Sequence, residues 1–324
     1  MRTVLVTGAT GFIGQALCAT LREAGTEVRT IQRQPNGPAS GIAGHGAAVW
    51  IRPGNDIDWS EALRGVEAVI HLAARTHVMR ETAPDPLAEY RRVNVEATRT
   101  LARAAAAGGV RRFIFLSSIK VNGESNIVPF TEKDSPSPED AYGQSKLEAE
   151  RALAQISAAS RLETVILRPP LVYGPGVKGN FLRLMRAIGH GVPLPFGAIH
   201  NQRSLIYLGN LIDAIVLCLE HPAAAGKIYL LADNENVSTP DLIRAIAGAM
   251  AEPARLFPFP PILLRAAGTV LGKPGAVARL LGSLRVDNSR IKREFGWQPR
   301  YDLAAGLRDT AEWYHRRHNA DSHN

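Results

Sequence analysis

Thr3-Val-Leu-Val-Thr7-Gly8-Ala-Thr-Gly11-Phe-Ile-Gly14 is the stretch from which the rest of the chain can be read. Thr3 to Thr7 is an apolar, β-branched run of strand length, and the glycines that follow at once end it in a tight turn. A helical pattern then runs to Ala24. In that context glycine lets backbone amides approach a diphosphate at the positive end of a helix, with Thr10, Phe12 and Ile13 beside it. The spacing is GxxGxxG, not GxGxxG. A glycine turn that binds nothing is the competing reading, and the flanking strand and helix weigh against it.

Outward from this stretch the chain alternates. Residues 27–32, 47–52, 68–72, 113–117 and 164–169 read as buried strands, with a long alanine-rich helix at 87–108 and another starting near Ala141. Continuous apolar strands between helices predict an α/β fold with a parallel sheet covered on both faces. From Pro170 the composition shifts to proline and glycine, as in a second lobe, and the strand and helix rhythm returns at about 206–232. The expected organisation is a dinucleotide-binding domain over 1–179, re-entered at about 206–232. A smaller, discontinuous C-terminal lobe for the substrate covers 180–205 and 233–286, and a helical segment covers 287–324. Ser238-Thr-Pro-Asp241 carries a cap, an N1 proline and an early acid, which predicts a helix to Met250. Residues 260–284 are apolar but interrupted by Arg265, Lys273 and Arg279, and read as an amphipathic cover over the substrate cleft; contact with a membrane surface is the second reading. The tail from His315 is expected to fray.

Composition bounds the function. The chain has 324 residues, 45% hydrophobic and 21% charged, which fits a globular protein with a sizeable core. Lys plus Arg (38) exceeds Asp plus Glu (30), a balance suited to a nucleotide diphosphate or an anionic surface. The arginines are scattered and no basic run is interleaved with aromatics, so nucleic acid is not the expected partner. Cys18 and Cys218 both fall in apolar helical stretches, which points to a reducing compartment and away from disulfides or zinc. No signal-peptide pattern precedes the first strand and no run is long enough to span a bilayer, so a cytoplasmic location without membrane insertion is expected.

The chemistry concentrates in Tyr142-Gly-Gln-Ser-Lys146. Residues four apart share a helix face, so the Lys146 ammonium is expected beneath the Tyr142 hydroxyl, favouring its phenolate. A phenol with a pKa of ~10 is otherwise a poor base at neutral pH. Where a dinucleotide fold usually places an acid for the ribose 2′-hydroxyl, this chain has Gln32 followed by Arg33. Arg33 suits a 2′-phosphate or a solvated surface, so NAD(H) and NADP(H) both stay open. Asp56 and Ile57 are placed to meet the adenine, although Asp56 equally suits a helix cap.

Taken together, Gly8/Gly11/Gly14, His71-Leu-Ala-Ala74, Asn94, Ser117-Ser118, Tyr142/Lys146 and Arg168-Pro-Pro-Leu-Val-Tyr-Gly-Pro175 resemble the extended short-chain dehydrogenases/reductases of the nucleotide-sugar epimerase/dehydratase family. The match runs in order along nearly the whole chain. It implies a Rossmann doubly wound sheet, with Ser118 on the substrate oxygen, Tyr142 as acid/base and Lys146 on the nicotinamide ribose. It further implies Leu72, Ala73, Ala74, Thr76, Asn94, Ser117, Pro169 and Val172 against the dinucleotide, with Pro169 to Val172 at the nicotinamide carboxamide. For the UDP-sugar it implies Asn180 and Arg203, more weakly Arg279 and Lys120, and it implies a homodimer joined by residues 87–108 and 141–160. A structural partner for Arg203 and an exposed loop position for Lys120 are the plainer alternatives.

Family dehydratases are similar in carrying an Asp-Glu pair after the catalytic serine or threonine. This chain has Ile119-Lys120 there, so loss of water from the sugar is not expected. The stretches around residues 71–79, 116–124 and 177–181 resemble the branch that reduces UDP-4-keto-6-deoxy-N-acetylhexosamines to UDP-N-acetylquinovosamine or a close relative. Leu171, where many epimerases have asparagine, tilts the expectation toward that reductase for polysaccharide biosynthesis, with a UDP-hexose 4-epimerase as the alternative. A non-catalytic dinucleotide sensor is the alternative of another class, and the intact Ser118, Tyr142 and Lys146 argue against it.

Overall fold

A computed structural model describes residues 2–33, 48–51, 58–76, 84–272 and 274–321. Its strands are β1 (Thr3–Thr7), β2 (Glu27–Arg33), β3 (Ala48–Ile51), β4 (Ala68–His71), β5 (Arg112–Leu116), β6 (Glu163–Arg168), β7 (Leu171–Tyr173), β8 (Arg203–Tyr207), β9 (Lys227–Leu230) and β10 (Asn236–Val237). The helices are α1 (Phe12–Glu23), α2 (Ser60–Leu63), α3 (Pro86–Tyr90), α4 (Ala97–Ala107), α5 (Ala141–Ala158) and α6 (Gly179–Gly189), then α7 (Leu208–Glu220), α8 (Thr239–Ala249), α9 (Pro261–Val270), α10 (Pro274–Leu281), α11 (Ser289–Phe295) and α12 (Leu303–Asp321).

Seven strands form one sheet in the order β3-β2-β1-β4-β5-β6-β9, every neighbouring pair parallel. This is the Rossmann arrangement with one added strand, and the direction of winding reverses between β1 and β4. Ligands of such sheets bind beyond the carboxyl ends of the strands at that reversal. The register Thr7↔His71 sets the Gly8 turn beside Leu72 and Ala73. Val4, Leu5, Val69, Phe113 and Phe115 are fully buried, and the alanines Ala102, Ala105 and Ala149 let α4 and α5 pack closely with Leu101 and Leu153 in the same core.

The chain divides into two compact units, one of residues 1–123, 135–168 and 212–230, the other of 124–134, 169–211 and 231–324. The second contains a three-stranded sheet in the order β10-β8-β7, with β7 parallel and β10 antiparallel to β8. Asp233 sits buried behind it, accepting from the Tyr207 amide (2.9 Å), Asn210 Nδ2 (2.7 Å) and the Tyr173 hydroxyl (3.3 Å).

Three local expectations change. The helix expected over 87–108 is interrupted: α3 passes into a π-helical turn at Arg91–Glu96 before α4 begins. Such turns are uncommon and accompany functional sites. The apolar stretch 260–284 makes two short helices, α9 and α10, rather than one cover. The tail does not fray at His315, because α12 continues to Asp321.

Candidate active site

The glycine turn is shaped by what its backbone must approach. Gly8 adopts φ +71°, and a Cβ there would lie 2.8 Å from the Ala73 nitrogen. At Gly14 a Cβ would meet the Gly8 oxygen at 2.1 Å, so no larger residue fits. The Gly11 amide closes the turn on the Gly8 oxygen at 2.9 Å, and Gly11 caps α1 without any side-chain acceptor. Thr10 is exposed and Phe12 and Ile13 are half-buried. Amides at the start of a helix with no side-chain cap, lined by glycine, suit the diphosphate of a dinucleotide.

The end of β4 is tied down from both sides. Thr7 Oγ1 lies 2.6 Å from His71 Nδ1 and accepts the Ala73 amide at 3.2 Å, while His71 Nε2 lies 2.9 Å from Thr98 Oγ1. Burial, with the nearby Lys146 charge, pushes the His71 pKa down to about 3, so its imidazole is a neutral structural link. Asn94 comes from the π-helical turn and is buried. Its Oδ1 accepts the Arg75 amide (2.7 Å), and its Nδ2 donates to the Arg75 oxygen (3.0 Å) and to Ser145 Oγ (2.9 Å). The asparagine therefore clamps the loop of Leu72, Ala73, Ala74 and Thr76 to α5, a link with no signal in local spacing. Gln32 and Arg33 close β2 opposite Trp50 and Ile51. Asp56 and Ile57 lie outside the described residues.

Ser117 and Ser118 follow β5 directly, and Tyr142 and Lys146 stand on the first turns of α5. Asp140 caps that helix by accepting the Gly143 amide at 2.7 Å, which brings Tyr142 to its open end. Tyr142 and Ser118 share a side-chain hydrogen bond. Burial, reinforced by the Asp140 charge, raises the phenol above its ordinary value, and the bond to Ser118 acts the other way. The Lys146 ammonium lies over the Tyr142 ring and is held by a backbone carbonyl. Lys146 Nζ donates to the Leu116 oxygen at 2.8 Å, lies 4.4 Å from the Phe115 ring centre and stands 6.0 Å from that of Tyr142. Lys146 is 2% exposed, and burial pushes its pKa down to about 7 against the attraction of Glu150.

Glu150 was not singled out from the sequence. Tyr142, Lys146 and Glu150 recur every four residues, one face of α5, and that spacing was the available signal. Ser117 Oγ donates to Glu150, so its hydroxyl is engaged inside the protein. Arg168 binds the same carboxylate through Nε (3.0 Å) and Nη2 (2.5 Å) and reaches Asn122 Oδ1 at 2.9 Å through Nη1. Directly after Ser118, Ile119 is buried and Lys120 Nζ lies 2.5 Å from Asp140 Oδ2, so an apolar side chain and an ion-paired lysine hold the two positions that follow the serine.

In the second unit, Pro169 is buried and Val172 is half-buried in β7. Arg203 and Arg279 come together there: Arg203 Nη1 donates to the Arg279 oxygen (2.7 Å) and the Gly282 oxygen (3.1 Å), a cation at the negative end of α10. Arg279 in turn pairs with Glu124 at 3.0 Å. Asn180 is exposed at the start of α6, where Arg183 donates to it at 3.5 Å.

Comparison with known proteins agrees with this geometry. A "UDP-glucose 4-epimerase" of Vibrio cholerae is 41% identical over 315 residues, 96% of this chain and 95% of the relative. An "N-acetyl-alpha-D-glucosaminyl-diphospho-ditrans,octacis-undecaprenol 4-epimerase" of Escherichia coli O157:H7 is 27% identical, covering 96% and 94%. The solved structure "MoeE5 in complex with UDP-glucose and NAD" superposes with a TM-score of 0.78 at 28% identity, over 97% of this chain and 99% of that one. Residues 4–232 match the model of the NAD dependent epimerase/dehydratase family. With that match, the parallel sheet and the glycine turn at its point of reversal, the chain belongs to the NAD dependent epimerase/dehydratase family.

Proposed function

We propose that this enzyme is a UDP-hexose 4-epimerase, which inverts the C4 hydroxyl of a UDP-sugar. The observation that carries the reading is the 41% identity to a UDP-glucose 4-epimerase over nearly the full length of both chains. The motifs alone tilt toward net reduction of a UDP-4-keto sugar, and the two similar 4-epimerases support the epimerase instead. Dehydration is disfavoured by the turn after Ser118, where a buried isoleucine and an ion-paired lysine stand in place of an acid and a base.

Gly8, Gly11 and Gly14 with the first turn of α1 would hold the diphosphate of NAD, and Leu72 to Thr76, fixed by Asn94, would line the dinucleotide. NAD supplies a hydride acceptor that is restored within each turnover. Tyr142 would take the proton of the C4 hydroxyl, and Ser118 would hold that oxygen by a hydrogen bond. Once the sugar presents its opposite face, Tyr142 would return the proton to the same oxygen. A phenol raised by burial is a weak acid that stays protonated at neutral pH, which opposes both the loss of its proton before the outward step and its donation in the return step. The outward step needs a positive charge near it, and Lys146 on the same helix face supplies one when protonated. Arg203 and Arg279 would meet the UDP phosphates, with Asn180 beside the sugar, and α4 and α5 would pair with a second copy.

Purified protein given UDP-glucose or UDP-galactose with NAD should interconvert them without accumulating NADH. Stoichiometric oxidation of NADH with a UDP-4-keto-6-deoxy-N-acetylhexosamine, and no interconversion of the hexoses, would restore the reductase reading.

A further inference from the structure

The outward face of α9 is its apolar face. Ile262, Leu263, Ala266, Ala267, Val270 and Leu271 fall on one half of the helix at 3.6 residues per turn, and all six are exposed. Ile262, Val270 and Leu271 are 74%, 86% and 72% exposed, whereas the residue that α9 buries is Gly268. A helix serving only its own fold is turned the other way, and an exposed contiguous apolar face marks a contact.

Charge identifies the kind of partner. Residues 253–286 carry five cations, Arg255, Arg265, Lys273, Arg279 and Arg285, and no Asp or Glu. Arg279 is paired with Glu124 and Arg285 donates to the Ile127 oxygen, while Arg255 and Arg265 are exposed on either side of the start of α9. Two copies meeting through this face would bring like charges together, which disfavours self-association. An anionic phospholipid surface answers both features, since its acyl boundary takes the apolar face and its phosphates take the arginines. The ten residues of α9 rise roughly 15 Å, half the thickness of a bilayer core, so the contact is with the surface. Among the described residues no helix is long and apolar enough to cross a membrane.

We propose that α9 docks this unit onto an anionic lipid surface, with Ile262, Leu263, Val270 and Leu271 seated at the boundary between headgroups and acyl chains and with Arg255 and Arg265 facing the phosphates. The full chain should sediment with vesicles of phosphatidylcholine and phosphatidylglycerol and remain in solution with phosphatidylcholine alone. Ile262→Ser with Val270→Ser should lower the partition coefficient about a hundredfold, near tenfold for each apolar side chain withdrawn. Arg255→Glu with Arg265→Glu should abolish the preference for the anionic vesicles, and turnover of soluble substrate should stay at the level of the parent in both variants. The proposal is overturned if the parent ignores anionic vesicles or if the double serine variant binds them equally well. It is also overturned if light scattering shows that the serines only break an oligomer, because the face then belongs to a second copy.

Discussion

Lys146→Met tests whether the lysine proposed to serve catalysis is held in place at the expense of the fold. Its ammonium is buried, and its pKa falls from 10.5 to about 7. In the unfolded chain it stays protonated throughout the neutral range, so folding at pH 7 must either bury a cation or release a proton. At ~1.4 kcal/mol per tenfold change in proton affinity, the full cost is about 5 kcal/mol below pH 7 and about 4 kcal/mol at pH 7 itself. Between pH 7 and 10.5 the unfolded chain binds more protons than the folded one, so the cost shrinks as pH rises and vanishes above 10.5. Methionine is one atom shorter, carries no charge, and forfeits the bond to the Leu116 oxygen, worth about 1 kcal/mol, together with the ammonium contact on the Phe115 ring. The variant should therefore be inactive yet more stable than the parent by about 2–3 kcal/mol at pH 7, with the gain gone by about pH 10. Guanidinium unfolding of cofactor-free protein across this pH range, followed by far-ultraviolet circular dichroism, measures the difference. A variant that is less stable at pH 7, or a difference that does not change with pH, would refute the reasoning.

Tyr142→Phe removes the hydroxyl proposed to carry the proton and keeps the edge-on packing against Tyr90, so turnover should drop by about a thousandfold or more while NAD affinity holds within a factor of about two in a fluorescence titration. A matching loss of affinity would make Tyr142 a binding residue. Gly14→Ala forces a methyl group to within 2.1 Å of the Gly8 oxygen. The turn must open, and the same titration should show NAD binding weakened by at least about tenfold. Glu150→Gln leaves the Arg168 guanidinium buried without its carboxylate and should cost about 3–5 kcal/mol in guanidinium unfolding, whereas Glu150→Leu with Arg168→Met should recover much of the loss. Asn94→Ala frees the Arg75 backbone, and its expected effect is a higher Kd for NAD with kcat little changed; an equal fall in kcat would show that the clamp acts on α5 instead.

Much of this protein is written in local spacing. The strand ending in Gly8, the Gly11 and Gly14 that follow, and the four-residue step from Tyr142 to Lys146 are short-range patterns, because steric access to a turn and the face of a helix depend on neighbours in the chain. The alternation of apolar strands and helices is equally local, and it predicts a parallel sheet covered on both faces. The partners of buried polar groups are a different matter. Arg168 meets Glu150 and Asn122, and Asn94 meets Arg75 and Ser145, across stretches of chain with no common period, so only the assembled fold pairs them. The ionisation of Tyr142 and Lys146 depends on desolvation, which is a property of everything packed around them. The same holds for α9, whose sequence shows an apolar face and whose burial alone reveals that this face points outward.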